Sequence, residues 1–583
     1  MTSSLQPPKR IRDLSSQDTR YRPFDRAHLA REYIQLVGEL NRVNQGLLWW
    51  SGIVGERNVF ESTLFEALVE YRTLASLLMQ GSEPFEGVSI PLGHPLIRSQ
   101  VVAFCRQHGI RARIGSTFRC FRLKYILSWL LHTTYFVVIS LVRKLLVRIY
   151  LGRSLDSALS RGGPYYVLRS WIDGRAFGPG GTYRDVYLGR LPDILAPRVP
   201  VLLLGEVAWT FSYRRALKAI RDCKPGFPII PQEYFLSVGD IFRAALAPLF
   251  QWRGSAIPQH FLGEDVTLLI RSAVQRDRFS RQVPQNLAVY HLTARLLSTF
   301  RVSHLTYNFE NKSYEKMMIL AARDHSPGTM TIGYQHGGMS RMLFNYFLAP
   351  KEVEFMPLPD RIITTGERSR EILVEEGHYD PERVVAGGAI RFEYLEDLPV
   401  KSRSSRHLLF LPLPVDREAA QAAVELVCTA FPEPGDCTVL LKVHPLTTWA
   451  EITGGEEIRL PDYITDASHR GIRDLLLECD TLLYCQTSTC MEALRIGIPV
   501  VYLDLFTYLD ADYVMDPVPF RWTAGSPREL REVLAEIDGL NDQEYGERQR
   551  AGIAYAQRFF GPVTDRVIER FMAEKGRGNA PPS

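Results

Sequence analysis

Cysteine is scarce in this chain: 8 among 583 residues, at positions 105, 120, 223, 428, 437, 479, 485 and 490, with no CxxC pair. That excludes a disulfide-stapled scaffold and leaves no Cys/His cluster at zinc-ligand spacing, so the thiols read as reduced ones in a cytosolic compartment. An excess of one charge is also lacking. Lys and Arg number 69 against 65 Asp and Glu, a net +4, too little over so large a surface for a nucleic-acid binder. Residues 1–26 carry Pro7, Pro8, Lys9, Arg10 and Arg12 but not the apolar run of a signal peptide. The expectation is a flexible tail on a protein that is not secreted, with a second tail at 576–583. Acidic residues are missing altogether from Arg111 to Arg153, where nine Arg and Lys occur.

What is present is the balance of a folded protein, 46% apolar and 23% charged, in a chain too long for one core. Short β-branched and leucine-rich runs alternate with helical patterns, the signature of parallel sheets covered by helices. In the first part these runs are Val88 to Leu92, Tyr165 to Leu168, Val201 to Leu204, His304 to Tyr307, Thr329 to Tyr334 and Arg361 to Thr364. In the second they are Leu408 to Pro412, Thr438 to Val443, Thr481 to Tyr484 and Pro499 to Leu503. The stretch 391–406, with Lys401-Ser-Arg-Ser-Ser-Arg406 before a new strand, reads as the linker. It separates an amino-terminal domain at 27–390 from a carboxy-terminal one at 407–575, whose last helical stretch, Gln543 to Lys575, closes it.

Residues 111–160 interrupt the alternation. Between two basic clusters lies Tyr125 to Val142, which as a helix extends about 27 Å, just short of a bilayer core. Basic flanks at both ends give no orientation, and the strand patterns before Arg111 and after Arg161 look like one sheet, which a single span would divide. A helix lying in or dipping into the interface fits better, with Arg and Lys on anionic headgroups. A buried core helix is the alternative, since His132, Thr133, Thr134 and Ser140 dilute the apolar run.

Several strand ends carry candidate chemistry. Lys442 and His444 share one face of a strand stopped by Pro445, which delivers a cation and an imidazole together. Ser488 and Thr489 open a helix after the next strand. Thr489 and Glu492 have capping-box spacing, yet such a start also suits phosphate, with Glu492 available for a ribose hydroxyl. Upstream, Glu310 follows a strand and is a candidate base. Gln335 and His336, with Gly337 and Gly338 behind them, either approach a bound phosphate or sugar across a cleft or form a tight turn. Asp173 ranks beside Glu310, with Asp185 and Glu206 competing, although Asp and Arg neighbours more often form local salt bridges. Asp510-Ala-Asp512 reads as a solvated loop, so no metal is expected.

Lys-x-His-Pro followed about forty residues later by Ser-Thr-x-x-Glu-Ala and Gly-x-Pro-Val resembles the carboxy-terminal domain of GT-B glycosyltransferases of bacterial surface carbohydrate. It is similar to capsule Kdo transferases, bacterial sialyltransferases and teichoic-acid glycerophosphotransferases. Glu310-Asn-x-x-x-Glu315 and Gly333-Tyr-Gln-His-Gly337 resemble a lipopolysaccharide O-antigen or capsule family with the same tail. The resemblance implies an α/β GT-B fold, two Rossmann-like domains with parallel sheets facing across a cleft. It places the phosphate of a cytidine nucleotide donor on His444, Pro445, Ser488 and Thr489, and the base on an amino-domain carboxylate.

The expected protein is a metal-independent, cofactor-free glycosyltransferase with a nucleotide-sugar donor, CMP-sugar favoured, and a lipid-linked or polysaccharide acceptor. It would be cytoplasmic and peripheral on the inner face of the cell membrane, held there through 111–153. A CDP-glycerol-type polyol-phosphate transferase, a non-catalytic scaffold and a sugar-nucleotide 2-epimerase stay open beside it.

Overall fold

The computed structural model describes residues 25–79, 96–110, 121–159, 163–250, 259–404, 407–432, 437–455, 460–506 and 508–575, with backbone alone at 12–13, 88–90, 112–114 and 121–124. Most of the expected tail at 1–26 and all of that at 576–583 lie outside these residues. Asp25 and Arg26 belong to the fold: the Asp25 side chain caps the helix Arg26–Val43, and Arg26 reaches Asp504 of the second domain at 2.9 Å.

Seven parallel strands build the first domain: β1 Tyr165–Ile172, β2 Val201–Val207, β3 Ile229–Pro231, β4 Val302–Asn308, β5 Met330–Tyr334, β6 Arg361–Thr364 and β7 Val384–Ala386, in spatial order 7-6-5-4-1-2-3. Six more build the second: β8 Leu408–Pro412, β9 Thr438–Lys442, β10 Ile464–Asp466, β11 Thr481–Tyr484, β12 Val500–Leu503 and β13 Arg521–Ala524, in order 10-9-8-11-12-13. Central strands such as β5 and β11 are buried residue after residue, as parallel strands covered by helices on both faces must be. The architecture is the expected GT-B arrangement of two Rossmann-like sheets. Strand order reverses between β4 and β1 in one sheet and between β8 and β11 in the other. The loops at the carboxyl ends beside those reversals are where such sheets bind ligands.

Four details differ from the sequence reading. Val88–Ile90 pairs with Arg12–Asp13 and Ala112–Ile114 in a separate small sheet, so the strands flanking the insertion do not share one sheet. The last helical stretch is two helices, Asp542–Phe559 and Asp565–Met572, and the second does not close the carboxy-terminal domain. It returns to the first sheet, where Tyr166 Oη donates to the Phe571 carbonyl at 2.9 Å and Phe571 packs on Tyr334. Third, 391–406 is more than a spacer, because the 3-10 turn Ile390–Leu395 packs into the space between the domains. Finally, Asp512 is buried and accepts from Tyr484 Oη, the Arg521 guanidinium and the Val514 N–H, so Asp510-Ala-Asp512 is not a solvated loop.

A buried ion pair ties the helices before the insertion to the first domain. Arg57 forks onto Glu352 at 2.6 and 2.8 Å, with both side chains at most 1% exposed. Asn41 donates to the same carboxylate at 2.6 Å, satisfying a lone pair that burial would otherwise leave costly.

Candidate active site in the interdomain cleft

The two leading carboxylates follow the two strands that flank the first domain's reversal, β1 and β4. Beyond β4, Asn311 adopts the left-handed region at φ 56° and turns the chain sharply between Glu310 and Lys312. Glu315 holds that turn: its two carboxylate oxygens accept the Glu310 and Asn311 N–H groups, each at 2.9 Å. Asn345 Nδ2 donates to the Glu310 carbonyl at 2.5 Å. The Glu-Asn-x-x-x-Glu pattern is therefore a loop clamp with Glu310 at its tip. The Glu310 side chain is 31% exposed and meets the Lys312 ammonium at 2.6 Å. Burial opposes its charge, yet Lys312, His336 and Arg391 together hold its pKa down to about 2. It is a firmly ionised carboxylate.

Asp173 is bound locally by Arg175, whose Nε and Nη2 donate to its two oxygens at 2.9 and 2.8 Å while the Arg175 N–H adds a third bond. Burial pushes its pKa up, but these bonds leave it lowered. Asp173 thus orients Arg175, which is 52% exposed, and a carboxylate so engaged is a poor proton acceptor. The competitors are engaged too. Asp185 is buried and accepts from Ser170, Tyr183 and the N–H groups of Tyr187 and Leu188. Glu206 pairs with Arg169, whose guanidinium lies between the rings of Trp171 and Tyr314.

After β5, Gln335 is fully buried and works within the fold: its amide donates to the Gly337 carbonyl, and its oxygen accepts from the Thr365 N–H and hydroxyl at 3.3 Å. It holds the turn and is not placed to touch a donor. His336 has a buried Nδ1 without a partner among the described residues and meets Tyr187 edge to face at 5.5 Å. Burial lowers its pKa to about 4 despite nearby Glu310, so the ring is neutral at physiological pH. A Cβ on Gly337 would meet nothing within 4 Å, whereas Gly338 abuts the second domain.

On that side, β9 ends at Lys442 rather than Val443, and the expected pairing of Lys442 with His444 does not hold. The Lys442 ammonium donates to the carbonyls of Ser468 and Arg470 at 2.8 and 2.6 Å, anchoring the loop after β10. His444 faces the cleft alone, with Pro445 exposed behind it. Its Nδ1 accepts the Leu446 N–H at 3.1 Å, so the neutral ring carries its proton on Nε2. Burial, then Arg175 and Arg391, lowers its pKa to about 4.

The capping box expected at Thr489 and Glu492 does not form. Ser488 is the residue that precedes the helix Thr489–Arg495, and it makes no side-chain cap. The buried Thr489 hydroxyl bonds Thr487 at 3.1 Å. Glu492 instead accepts from Tyr394 Oη, and burial raises its pKa to about 7 against the pull of Arg391. Ser488 stays partly exposed at the seam.

Arg391 is the residue that sequence reasoning missed. It sits in the turn Ile390–Leu395 inside what reads as a linker, and only a structure shows that this turn enters the cleft. Half-buried, its guanidinium lies 5.5 Å from the Tyr187 ring centre and 5.4 Å from that of Phe392, with no ion-pair partner among the described residues. Its charge acts on Glu310 and His336 of one domain and on His444 and Glu492 of the other. The cleft therefore gathers Arg391, Arg175 and the Lys312–Glu310 ion pair beside two neutral imidazoles.

No protein-family model matches the chain, and no curated protein matches it in sequence. Among solved structures it is similar to CalG4, the calicheamicin glycosyltransferase, at 13% identity and a TM-score of 0.42 over 72% of this chain and 100% of that one. It is also similar to the UDP-GlcNAc 2-epimerase from Neisseria meningitidis bound to UDP-GlcNAc, at 10% identity and a TM-score of 0.39 over 70% and 98% of the two chains. The wall teichoic acid polymerase TagF is similar at 12% identity and a TM-score of 0.37 over 78% and 97%. Likenesses this loose add nothing to the fold read from strand order.

Proposed function

We propose that the protein is a glycosyltransferase that moves a sugar from a nucleotide donor, CMP-sugar favoured, onto a lipid-linked or growing surface glycan. The observation that carries this reading is Arg391, a half-buried cation without an ion-pair partner among the described residues, set between the two domains and acting on Glu310, the cleft carboxylate paired with Lys312. A cation so placed fits an anionic ligand bound across the seam. In this reading Arg391 and Arg175 neutralise the donor phosphate, His444 donates its Nε2–H to the leaving oxygen, and Ser488 adds a hydroxyl. Glu492, held by Tyr394, faces the ribose. No metal is needed with these cations in place.

Glu310 is the base. The bond from the anomeric carbon to the donor phosphate oxygen breaks, a bond to the acceptor oxygen forms, and the acceptor proton passes to Glu310. Its low resting pKa makes it weak while Lys312 is bound to it. A donor phosphate that draws Lys312 away would raise its proton affinity, coupling base strength to donor binding. The apolar helix of the insertion keeps the enzyme at the inner face of the cell membrane, where lipid-linked acceptors lie.

Release of nucleotide from CMP-, UDP- and GDP-sugars and from CDP-glycerol, in the presence of membrane glycolipid acceptor, tests the reading. Sugar transfer that is lost in His444→Ala supports it. Turnover of CDP-glycerol alone would make the protein a polyol-phosphate transferase, epimerised free sugar nucleotide would make it an epimerase, and binding of none of these would leave a scaffold.

A further inference from the structure

The insertion forms one helix, α1 Phe121–Ala158, of 38 residues, about 57 Å long. By length and composition its apolar part could cross a membrane, but its packing argues otherwise. One stripe is docked on the first domain from end to end. Trp129 packs on Phe279 at 5.4 Å near one end, Arg143 pairs with Glu233 at 3.6 Å in the middle, and Leu151 and Leu155 are buried near the other. A transbilayer position would strip the domain from this stripe.

The opposite stripe is apolar and uncovered. Large side chains recur at helical spacing from Leu127 to Ile149, with Leu131 at 68%, Leu145 at 60% and Ile149 at 65% exposure. A second helix, α2 Val238–Phe250, runs antiparallel beside it. Asp240 near its start acts on the charge of Lys144, while the Pro248 carbonyl near its end is held at 2.6 Å by Arg278, the neighbour of Phe279. It leaves Phe242, Leu246, Leu249 and Phe250 exposed, the last at 79%. Its other face, Ile241, Ala244 and Ala245, is buried. Nothing in the sequence reading singled this helix out.

We infer that α1 and α2 together form a single in-plane face that seats the protein on an anionic lipid surface. Charge complementarity selects lipid over a protein partner: nine Arg and Lys and no acid lie between residues 111 and 153, of which Arg143 is engaged by Glu233 on the docked stripe. Arg148 and Arg243, at 67% and 65% exposure, lie on the same two helices as the apolar side chains, each in an ion pair with an acid of its own helix, Asp156 at 3.2 Å and Asp240 at 3.4 Å, that leaves the guanidinium mostly open to solvent. Apolar side chains enter the acyl boundary while the cations meet headgroup phosphates. The inference rests on the membrane part of the proposed function and is independent of the chemistry in the cleft.

Flotation of the full chain with vesicles of phosphatidylethanolamine and phosphatidylglycerol, and with phosphatidylcholine alone, tests it. Wild type should float with the anionic vesicles. L131E/L145E on α1 and F242E/F250E on α2 should each lower the bound fraction by about tenfold, with unchanged circular dichroism and unchanged binding of CMP or UDP. Flotation of the α2 variant like wild type would overturn the two-helix face. No flotation of wild type, together with a concentration-dependent dimer that L131E/L145E abolishes, would assign the face to a second copy and overturn the lipid. Flotation as expected from a protein that binds no nucleotide would leave this inference standing and remove the transferase.

Discussion

Gly338 of the first domain lies directly against Ser488 of the second: a Cβ on Gly338 would stand 2.6 Å from the Ser488 Cβ and 2.8 Å from Tyr513 Cδ1. The Ser488 Cβ cannot yield without moving its backbone, so the glycine sets how closely the two halves of the cleft approach. Gly338→Ala should wedge the domains apart by a fraction of an ångström. Because transfer depends on reacting groups aligned across the seam, turnover should fall by about 10- to 100-fold with little change in melting temperature. Steady-state kinetics beside a thermal melt checks this; equal loss of stability and rate would make Gly338 a packing residue only.

Arg391 should act on the donor first. Arg391→Ala is expected to raise the nucleotide Kd by about 100-fold, the order of 3 kcal/mol that a charge-assisted bond to phosphate carries. Arg391→Lys should recover only part of this, since a point charge replaces a planar fork. Calorimetric titration separates that outcome from a simple fold defect, which would lower the number of binding sites instead.

The base assignment makes a pH prediction. Glu310 must be ionised to accept a proton, and with Lys312 beside it the pKa stays near about 2. Lys312→Ala removes the cation, so the carboxyl pKa rises and the acid limb of the pH–rate profile moves to higher pH. Glu310→Gln should lower kcat by about 100- to 10,000-fold while nucleotide still binds. An acid limb that stays in place in Lys312→Ala would transfer the role to another carboxylate.

His336 offers a test by stability. Burial lowers its pKa from 6.5 to about 4, so between those values the unfolded chain takes up a proton that the folded chain refuses. Its contribution is complete above the unfolded pKa and is lost as pH falls through the folded one, on the order of 3 kcal/mol in total. Urea denaturation at about pH 7.5 and about pH 5 should show a smaller pH dependence in His336→Phe than in wild type.

How far the sequence carried follows from burial. Strands β8 and β11 were legible because buried parallel strands are nearly continuous apolar runs, and β5 and β6 because Ile332 and Tyr334, and Ile362 and Ile363, keep that character between a few polar positions. The strands that escaped notice in the two large sheets, β3, β7, β10 and β13, are the four sheet edges. β7, β10 and β13 are covered less completely, and the last two mix Thr465, Asp466 and Thr523 into their patterns, while β3 is buried but only three residues long and ends in Pro231. His444 and Glu310 could be placed at the cleft because they follow legible strands. Lys442 misled, since alternation gives a face but not the carbonyls of Ser468 and Arg470 that claim its ammonium. Thr489 and Glu492 misled in the same way: the spacing of a capping box is local, while Tyr394 reaches Glu492 from across the chain. Arg391 was invisible for a third reason, because no periodicity marks a single turn of a linker.

A nucleotide phosphate bound between the domains would rest on Arg391 and His444. Titration calorimetry of CMP, CDP and UDP into wild type, Arg391→Ala and His444→Ala decides whether it does. At least one nucleotide should bind wild type, with affinity falling about 10-fold or more in each variant. Equal affinity in all three proteins, or no nucleotide binding to wild type, would refute the site.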